Sequence, residues 1–167
     1  MAVEFRCATA RGRGYARRLC ADADRLMRAA GLAECELSLT LTTDRAIRRL
    51  NRDYRGIDTP TDVLSFSQIE QAGVAPPNPL SVKNSPGLPV GDVVISIDTA
   101  LRQAREYRVS PASRIRRLLI HGFLHLIGYD HERSPADARR MFARERALAA
   151  KIDQRRVVTP RRRVSSR

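Results

Sequence analysis

The sequence predicts an α+β fold in a single domain. Four short segments with strand character lie in the first hundred residues, and helical apolar spacing fills the intervals between most of them. Two Ser-Pro start signals then open an all-helical final third. A chain of 167 residues buries roughly 70% of its unfolded surface, enough to fold without a disulfide or a metal.

AVEFRC (2–7) alternates weakly, as a strand does. RGYARRLCADADRLMRAAGL (13–32) follows, with Leu19, Ala23, Leu26 and Ala30 at helical spacing and Gly31 as its stop. ECELSLTLTT (34–43) sets Cys35, Leu37, Leu39 and Leu41 against polar neighbours, the period-two mark of a half-buried strand, and Thr43 or Asp44 caps a helix over DRAIRRLNRDYR. TDVLSFS (61–67) and DVVISI (92–97) are β-branched or aromatic runs and read as two further strands. Between them, residues 67–91 carry Pro76, Pro77, Pro79, Pro86 and Pro89, which rules out a continuous helix or central strand and predicts a mobile surface loop near the active site.

Asp98 is expected to start a helix running to about Arg108. Ser110-Pro111 then places a cap and a first-turn proline ahead of SRIRRLLIHGFLHLIG, a helix expected to end at Gly128. Ser134-Pro135 repeats the signal, and Asp137 completes a capping-box-like pattern before an arginine-rich helix to about Ile152. The domain is therefore expected to span residues 1–152, with 153–167 as a basic, disordered tail.

Lys and Arg number 31 against 18 Asp and Glu, a net charge of +13 that favours a polyanionic partner, above all nucleic acid. Cys7, Cys20 and Cys35 are odd in number and lack C-x-x-C spacing, so neither a disulfide framework nor a thiolate zinc site is indicated, and a reducing cytoplasm is expected. No apolar run of signal-peptide or membrane-spanning type is visible.

HGFLHLIGYDH (121–131) contains all three histidines of the chain. On a helix, His121 and His125 project from one face, one turn apart. Gly128 can stop the helix in the left-handed conformation and return the chain, so that His131 supplies a third nitrogen. Three neutral imidazoles suit Zn²⁺, with a fourth position left open as in catalytic rather than structural sites, although imidazole also accepts Ni²⁺, Fe²⁺ or Co²⁺. The spacing matches the metzincin peptidase pattern HExxHxxGxxH except that Gly122 stands where those enzymes carry a glutamate base, which disfavours peptide hydrolysis. A glycine inside a helix costs about 1 kcal/mol relative to alanine, so either space beside the metal or close helix packing is required there.

The same run resembles the signature H-G-x-L-H-L-x-G-Y-D-H of the YbeY family, the bacterial ribosomal-RNA maturation endoribonucleases. LNRDYR and TDVLSFS (within 50–67) resemble that family's L-N-x-x-Y-R and T-D-V-L-S-F segments, and GDVVIS (91–96) resembles its G-D-I-x-I strand. The resemblance runs from about residue 35 to 150; the proline-rich loop is longer than usual and the basic tail lies outside it. It implies a mixed sheet of about four strands with a zincin-like, metal-binding histidine helix across one face. It further implies a zinc-dependent endoribonuclease specific for single-stranded RNA, acting in maturation of the 3′ end of 16S ribosomal RNA. The small ribosomal subunit, its assembly factors and an associated GTPase are the implied partners, with no membrane. The rivals are a metal-dependent hydrolase of another substrate and a non-catalytic, zinc-containing assembly factor that binds RNA.

With that resemblance, Arg55 is expected to bind phosphate or steady transition-state charge, and His121 to act catalytically as well as to ligate. Asp62 and Asp92 stand at strand starts and are weaker candidates, a turn or cap role being the commoner one. Asp130 and Glu132 flank His131 and are expected to orient an imidazole or accept a proton. Tyr129 is expected to pack. The arginines of SRIRRLL and ARRMFARER form either a track for RNA or a solvated face.

Overall fold

The computed structural model describes residues 3–69 and 86–154. In chain order these form β1 (Val3–Cys7), α1 (Ala10–Ala30), β2 (Glu36–Thr42), α2 (Asp44–Arg55), β3 (Val63–Ser67), β4 (Pro89–Ser96), α3 (Ile97–Glu106), α4 (Pro111–Leu126) and α5 (Pro135–Gln154). The strands make one mixed sheet in the order β1-β2-β4-β3, with β1, β2 and β4 parallel and β3 antiparallel to β4. The expected α+β class, with four strands in a mixed sheet, is borne out, and β3 forms one edge of that sheet.

Leu37, Leu39 and Leu41 of β2 are buried while Ser38 and Thr40 are half-buried, the period-two pattern read in the sequence. These leucines meet Leu19, Ala23 and Leu26 of α1 and Leu119, Ile120 and Phe123 of α4 in the main core. Helix α4 also buries Ile115, Leu118, Leu124 and Leu126, so its apolar face is broad, as a helix packed on several sides requires, while Ser113 and Arg117 remain exposed. Helix α5 lies against α1 and α4 and contributes Met141, Leu148 and Ile152. On the other face of the sheet, α2 covers β3 and β4 through Ile47, Leu64 and Val94. A buried ion pair joins the helices: Arg116 Nε of α4 donates to Asp22 Oδ2 of α1 at 2.9 Å, and its guanidinium also reaches Asp153 of α5.

Several boundaries differ from the sequence expectation. Helix α1 starts at Ala10 rather than Arg13, because the Thr9 hydroxyl accepts the Gly12 N–H at 3.0 Å and caps it earlier. Helix α3 is capped by Ser96, not begun by Asp98, so Ile97 belongs to the helix. The loop expected over 67–91 is shortened at both ends by β3 and β4, and residues 70–85 of it lie outside the described residues. Pro89 is tolerated as the first residue of β4. Gly91 follows at a register shift, with φ 141° and no room for a Cβ against the Phe66 carbonyl. Helix α4 ends at Leu126, two residues before Gly128, and α5 runs to Gln154, so the expected boundary at 152/153 falls inside its last turn. The tail from 155 lies outside the described residues. No described helix is long and apolar enough to cross a membrane.

Candidate metal centre

Helix α4 is built to present two histidines at its end. Ser110 caps it, accepting the Ser113 N–H at 3.1 Å, and Pro111 opens the first turn. Its approach to the sheet is close at Gly122, where a Cβ would lie 2.9 Å from Ser65 Oγ, 2.9 Å from Val93 Cγ1 and 3.0 Å from Val63 Cγ2. Of the two reasons open for a glycine there, close packing is the one realised. Ser65 and Ser67 of β3 donate their hydroxyls to the Gly122 and Leu126 carbonyls at 2.9 and 3.0 Å, fastening strand to helix.

Past Leu126 the chain reverses at Gly128, whose φ of 92° is open to glycine, while the N–H groups of Gly128 and Tyr129 bond back to the His125 and Leu124 carbonyls. The reversal returns His131 to the other two. His121 Nε2 and His125 Nε2 are 3.3 Å apart, ring centroids are 4.9 to 5.1 Å apart, and one ligand nitrogen from each residue lies within 4.8 Å of the others. Two nitrogens bound tetrahedrally to zinc at about 2.05 Å stand about 3.3 Å from each other. His131 Nδ1 is buried without a hydrogen-bond partner among the described residues, and a buried unpaired nitrogen is costly unless something binds it. Burial first, then the neighbouring His121 and His131, depresses the basicity of His125 and favours the neutral form that ligates. The donor set fits a divalent transition metal.

Behind His121, on the ring nitrogen turned away from His125, Glu145 Oε2 lies 3.8 Å from Nδ1, just beyond hydrogen-bond reach. Burial alone would push the Glu145 carboxyl up; the His121 imidazole and the Arg117 guanidinium, 3.0 Å from Oε1, outweigh it and hold the carboxyl below its ordinary value. Glu145 thus stands behind His121 as an additional carboxylate beside the histidines. Asp130 lies close enough to His125 to favour its charged form and also shapes the turn, its Oδ1 accepting the Glu132 N–H at 2.8 Å and its Oδ2 meeting Arg133 Nε at 3.0 Å.

The histidines open into a cleft of about 380 Å³. Arg55, Asp62, Asp130 and Glu132 all line it with them, as do Val63, Leu64 and Ser65 of the edge strand. Arg55 is the last residue of α2 before Gly56, and its side chain has no acidic partner among the described residues. The loop that follows is held by Asn51, whose Nδ2 donates to the Thr59 carbonyl at 2.8 Å. Asp62 is a brace: Oδ1 accepts the Val63 N–H at 2.8 Å, and Oδ2 takes Gln103 Nε2 at 3.1 Å and an Arg114 guanidinium nitrogen at 3.2 Å. Asp92 does not line the cleft; its carboxylate accepts from Gln68 Nε2 at 3.0 Å.

The sequence model of the family described as "Endoribonuclease YbeY" matches residues 13–153. The chain belongs to the YbeY family of endoribonucleases. It is 48% identical over 149 residues to the "Endoribonuclease YbeY" of Anaeromyxobacter sp. (strain Fw109-5), covering 89% of this chain and 71% of that one. It is 49% identical to the one from Chloroflexus aggregans, over 70% of this chain and 72% of the relative, and 46% identical to that of Moorella thermoacetica, over 80% and 86%. The solution structure of TM1509 from Thermotoga maritima shares the fold, with a TM-score of 0.62 over 99% of both chains at 22% identity.

Within this YbeY-family site, sequence reasoning missed Glu145, Ser65 and Ser67. A signal for Glu145 existed: Met141, Leu148 and Ile152 form the buried stripe of α5, and Glu145 is a buried acid at the stripe position between the first two. The two serines carried no comparable signal, because alternation in TDVLSFS shows which residues share a face but not what lies above it.

Proposed function

We propose that the protein is a zinc-dependent endoribonuclease that cuts single-stranded RNA and acts in maturation of the 3′ end of 16S ribosomal RNA, in the cytoplasm, with the small ribosomal subunit as its setting. The observation that carries the reading is the convergence of three imidazoles on a cleft whose other wall holds Arg55. The net charge of +13 suits the polyanion, and family membership supports the choice of RNA.

His121, His125 and His131 hold the ion, and Glu145 keeps the His121 ring turned with its other nitrogen toward His125. Bound zinc supplies a Lewis acid for a phosphoryl oxygen. Arg55 offers a guanidinium fork, free of any acid among the described residues, to the phosphate as charge builds there. Asp62, held by Gln103 and Arg114, fixes the start of the edge strand so that the walls of the cleft keep their spacing.

The test is cleavage of an end-labelled single-stranded RNA by protein stripped of metal and then reloaded with zinc, beside His125→Ala. Cleavage that returns with zinc and is missing from the variant is expected. Intact RNA with folded, zinc-loaded protein, bound with a steep salt dependence, would replace the nuclease by a non-catalytic RNA-binding factor.

A further inference from the structure

The register of the β3/β4 ladder determines which backbone groups of β3 are free. Val63 stands opposite Ile95 and Ser65 opposite Val93. The flanking bonds run from Ser96 N–H to the Asp62 carbonyl at 2.9 Å and from Gln68 N–H to the Val90 carbonyl at 3.1 Å. In an antiparallel pair, hydrogen-bonded and non-hydrogen-bonded residues alternate. Residues 62, 64, 66 and 68 therefore turn their amides toward β4, and Val63 and Ser65 turn theirs outward, off the edge of the sheet. Both residues line the cleft that holds the histidines and Arg55.

Two local contacts refine what is on offer. The Val63 N–H is taken by Asp62 Oδ1 at 2.8 Å. The Ser65 hydroxyl is turned to the Gly122 carbonyl at 2.9 Å, so the side chain points at α4, and among the described residues nothing else bonds the outward Ser65 amide or carbonyl. Among the described residues, what remains is a donor and an acceptor from Ser65 and an acceptor from Val63. An uncovered strand edge of this kind is normally blunted or paired, because it recruits whatever can match it.

We infer that this edge is the wall of the cleft that reads an unpaired base: the Ser65 N–H and C=O, with the Val63 C=O, bond the edge of a base in single-stranded RNA lying between Arg55 and the histidines. The inference rests on the RNA reading above and deepens it. Each base carries donors and acceptors on its pairing edge, and a backbone donor–acceptor pair satisfies them without preference for one side chain chemistry. In a duplex those atoms are already paired, so the edge gives selectivity for single strands from backbone geometry alone. A polypeptide strand is the competing occupant. The net charge of +13 and Arg55 beside the edge favour the polyanion.

Proline separates the amide from the side chain. Its missing N–H is tolerated on a strand edge where that group faces outward, so Ser65→Pro deletes the donor, and Ser65→Ala deletes only the hydroxyl. Affinity for a single-stranded oligouridine is measured by fluorescence anisotropy with chelator present, so that the strand stays whole. Ser65→Pro is expected to bind about tenfold more weakly than Ser65→Ala, the worth of about one hydrogen bond. Equal affinities would overturn the inference, and so would displacement of the oligouridine by an extended neutral peptide. Should Ser65→Pro not fold, the ¹⁵N–¹H resonance of Ser65 in the unaltered protein decides: a shift on saturation supports the contact, and a fixed resonance overturns it. A protein that binds through Ser65 and never cuts would sink the nuclease reading alone, whereas one that cuts and ignores the Ser65→Pro change would sink only this inference.

Discussion

Glu145 Oε2 lies 3.8 Å from His121 Nδ1, the ring nitrogen opposite the one that faces His125 across 3.3 Å. A charged acid at that nitrogen favours the tautomer whose other nitrogen is free to ligate, and raises its strength as a donor. Glu145→Gln keeps the shape and removes the charge. Zinc affinity, read by competition with a chromophoric chelator, is expected to fall about 10- to 100-fold. Unchanged affinity would reduce Glu145 to a partner for Arg117.

Arg55 has a different role and should show a different signature. Arg55→Ala is expected to lower turnover on single-stranded RNA by about 10²–10³, the usual cost of one donor to a developing charge, with zinc content unaltered. Arg55→Lys should restore only part, since an ammonium cannot fork across two oxygens. A loss confined to KM would make Arg55 a docking residue instead.

Gly122→Ala tests the close approach of α4 to the sheet. Alanine improves helix propensity by about 1 kcal/mol, while crowding a packed interface costs about 1–3 kcal/mol. The Cβ contacts of 2.9 to 3.0 Å involve a bonded serine and two stiff valines, which give little. A net loss on the order of 1 kcal/mol in urea unfolding is expected. A gain in stability would return the glycine to the metal side of the helix.

Asp44 provides a pH test away from the metal centre. Burial would push its carboxyl up, but bonds from Ser96, Thr99 and Arg102 outweigh that and hold it below its ordinary value of 3.8. A depressed folded value means the unfolded chain takes up the proton first. The contribution is thus complete above about pH 4 and is lost as pH falls through the folded value. Asp44→Asn should be less stable at neutral pH by on the order of 1–2 kcal/mol, and the gap to the unaltered protein should close in acid. A gap constant down to the acid transition would show that the charge of Asp44 is not what stabilises.

The histidine run and the caps at Thr43, Ser110 and Ser134 were legible because each depends on neighbours in sequence: a helical repeat, a hydroxyl three residues ahead of an amide, a glycine after the last turn. The positions of Arg55 and Asp62 beside the histidines are legible only through the family resemblance, since they depend on how α2 and β3 pack. Asp92 shows the limit. Its place at the start of a strand run leaves it a weaker site candidate beside the commoner turn or cap role; along a strand alternate residues face opposite sides, and only the pairing with Phe66 and the bond from Gln68 show where it goes. Pro89 argues against a continuous central strand through 67–91, yet the first position of a strand has an amide that need not be paired, and β4 begins there.

The two serine hydroxyls that fasten β3 to α4, at 2.9 and 3.0 Å, give the cleft a fixed gauge. One jaw is the edge strand and the other is the turn and helix end carrying the imidazoles, and both belong to the same bolted frame. Such a slot works as a go/no-go caliper: a guest is admitted because it already has the right thickness and flatness, not because the walls mould themselves to it. With single-stranded RNA as the guest, as proposed above, selection is made at entry, before any bond is strained, and a strand has to arrive already melted to pass.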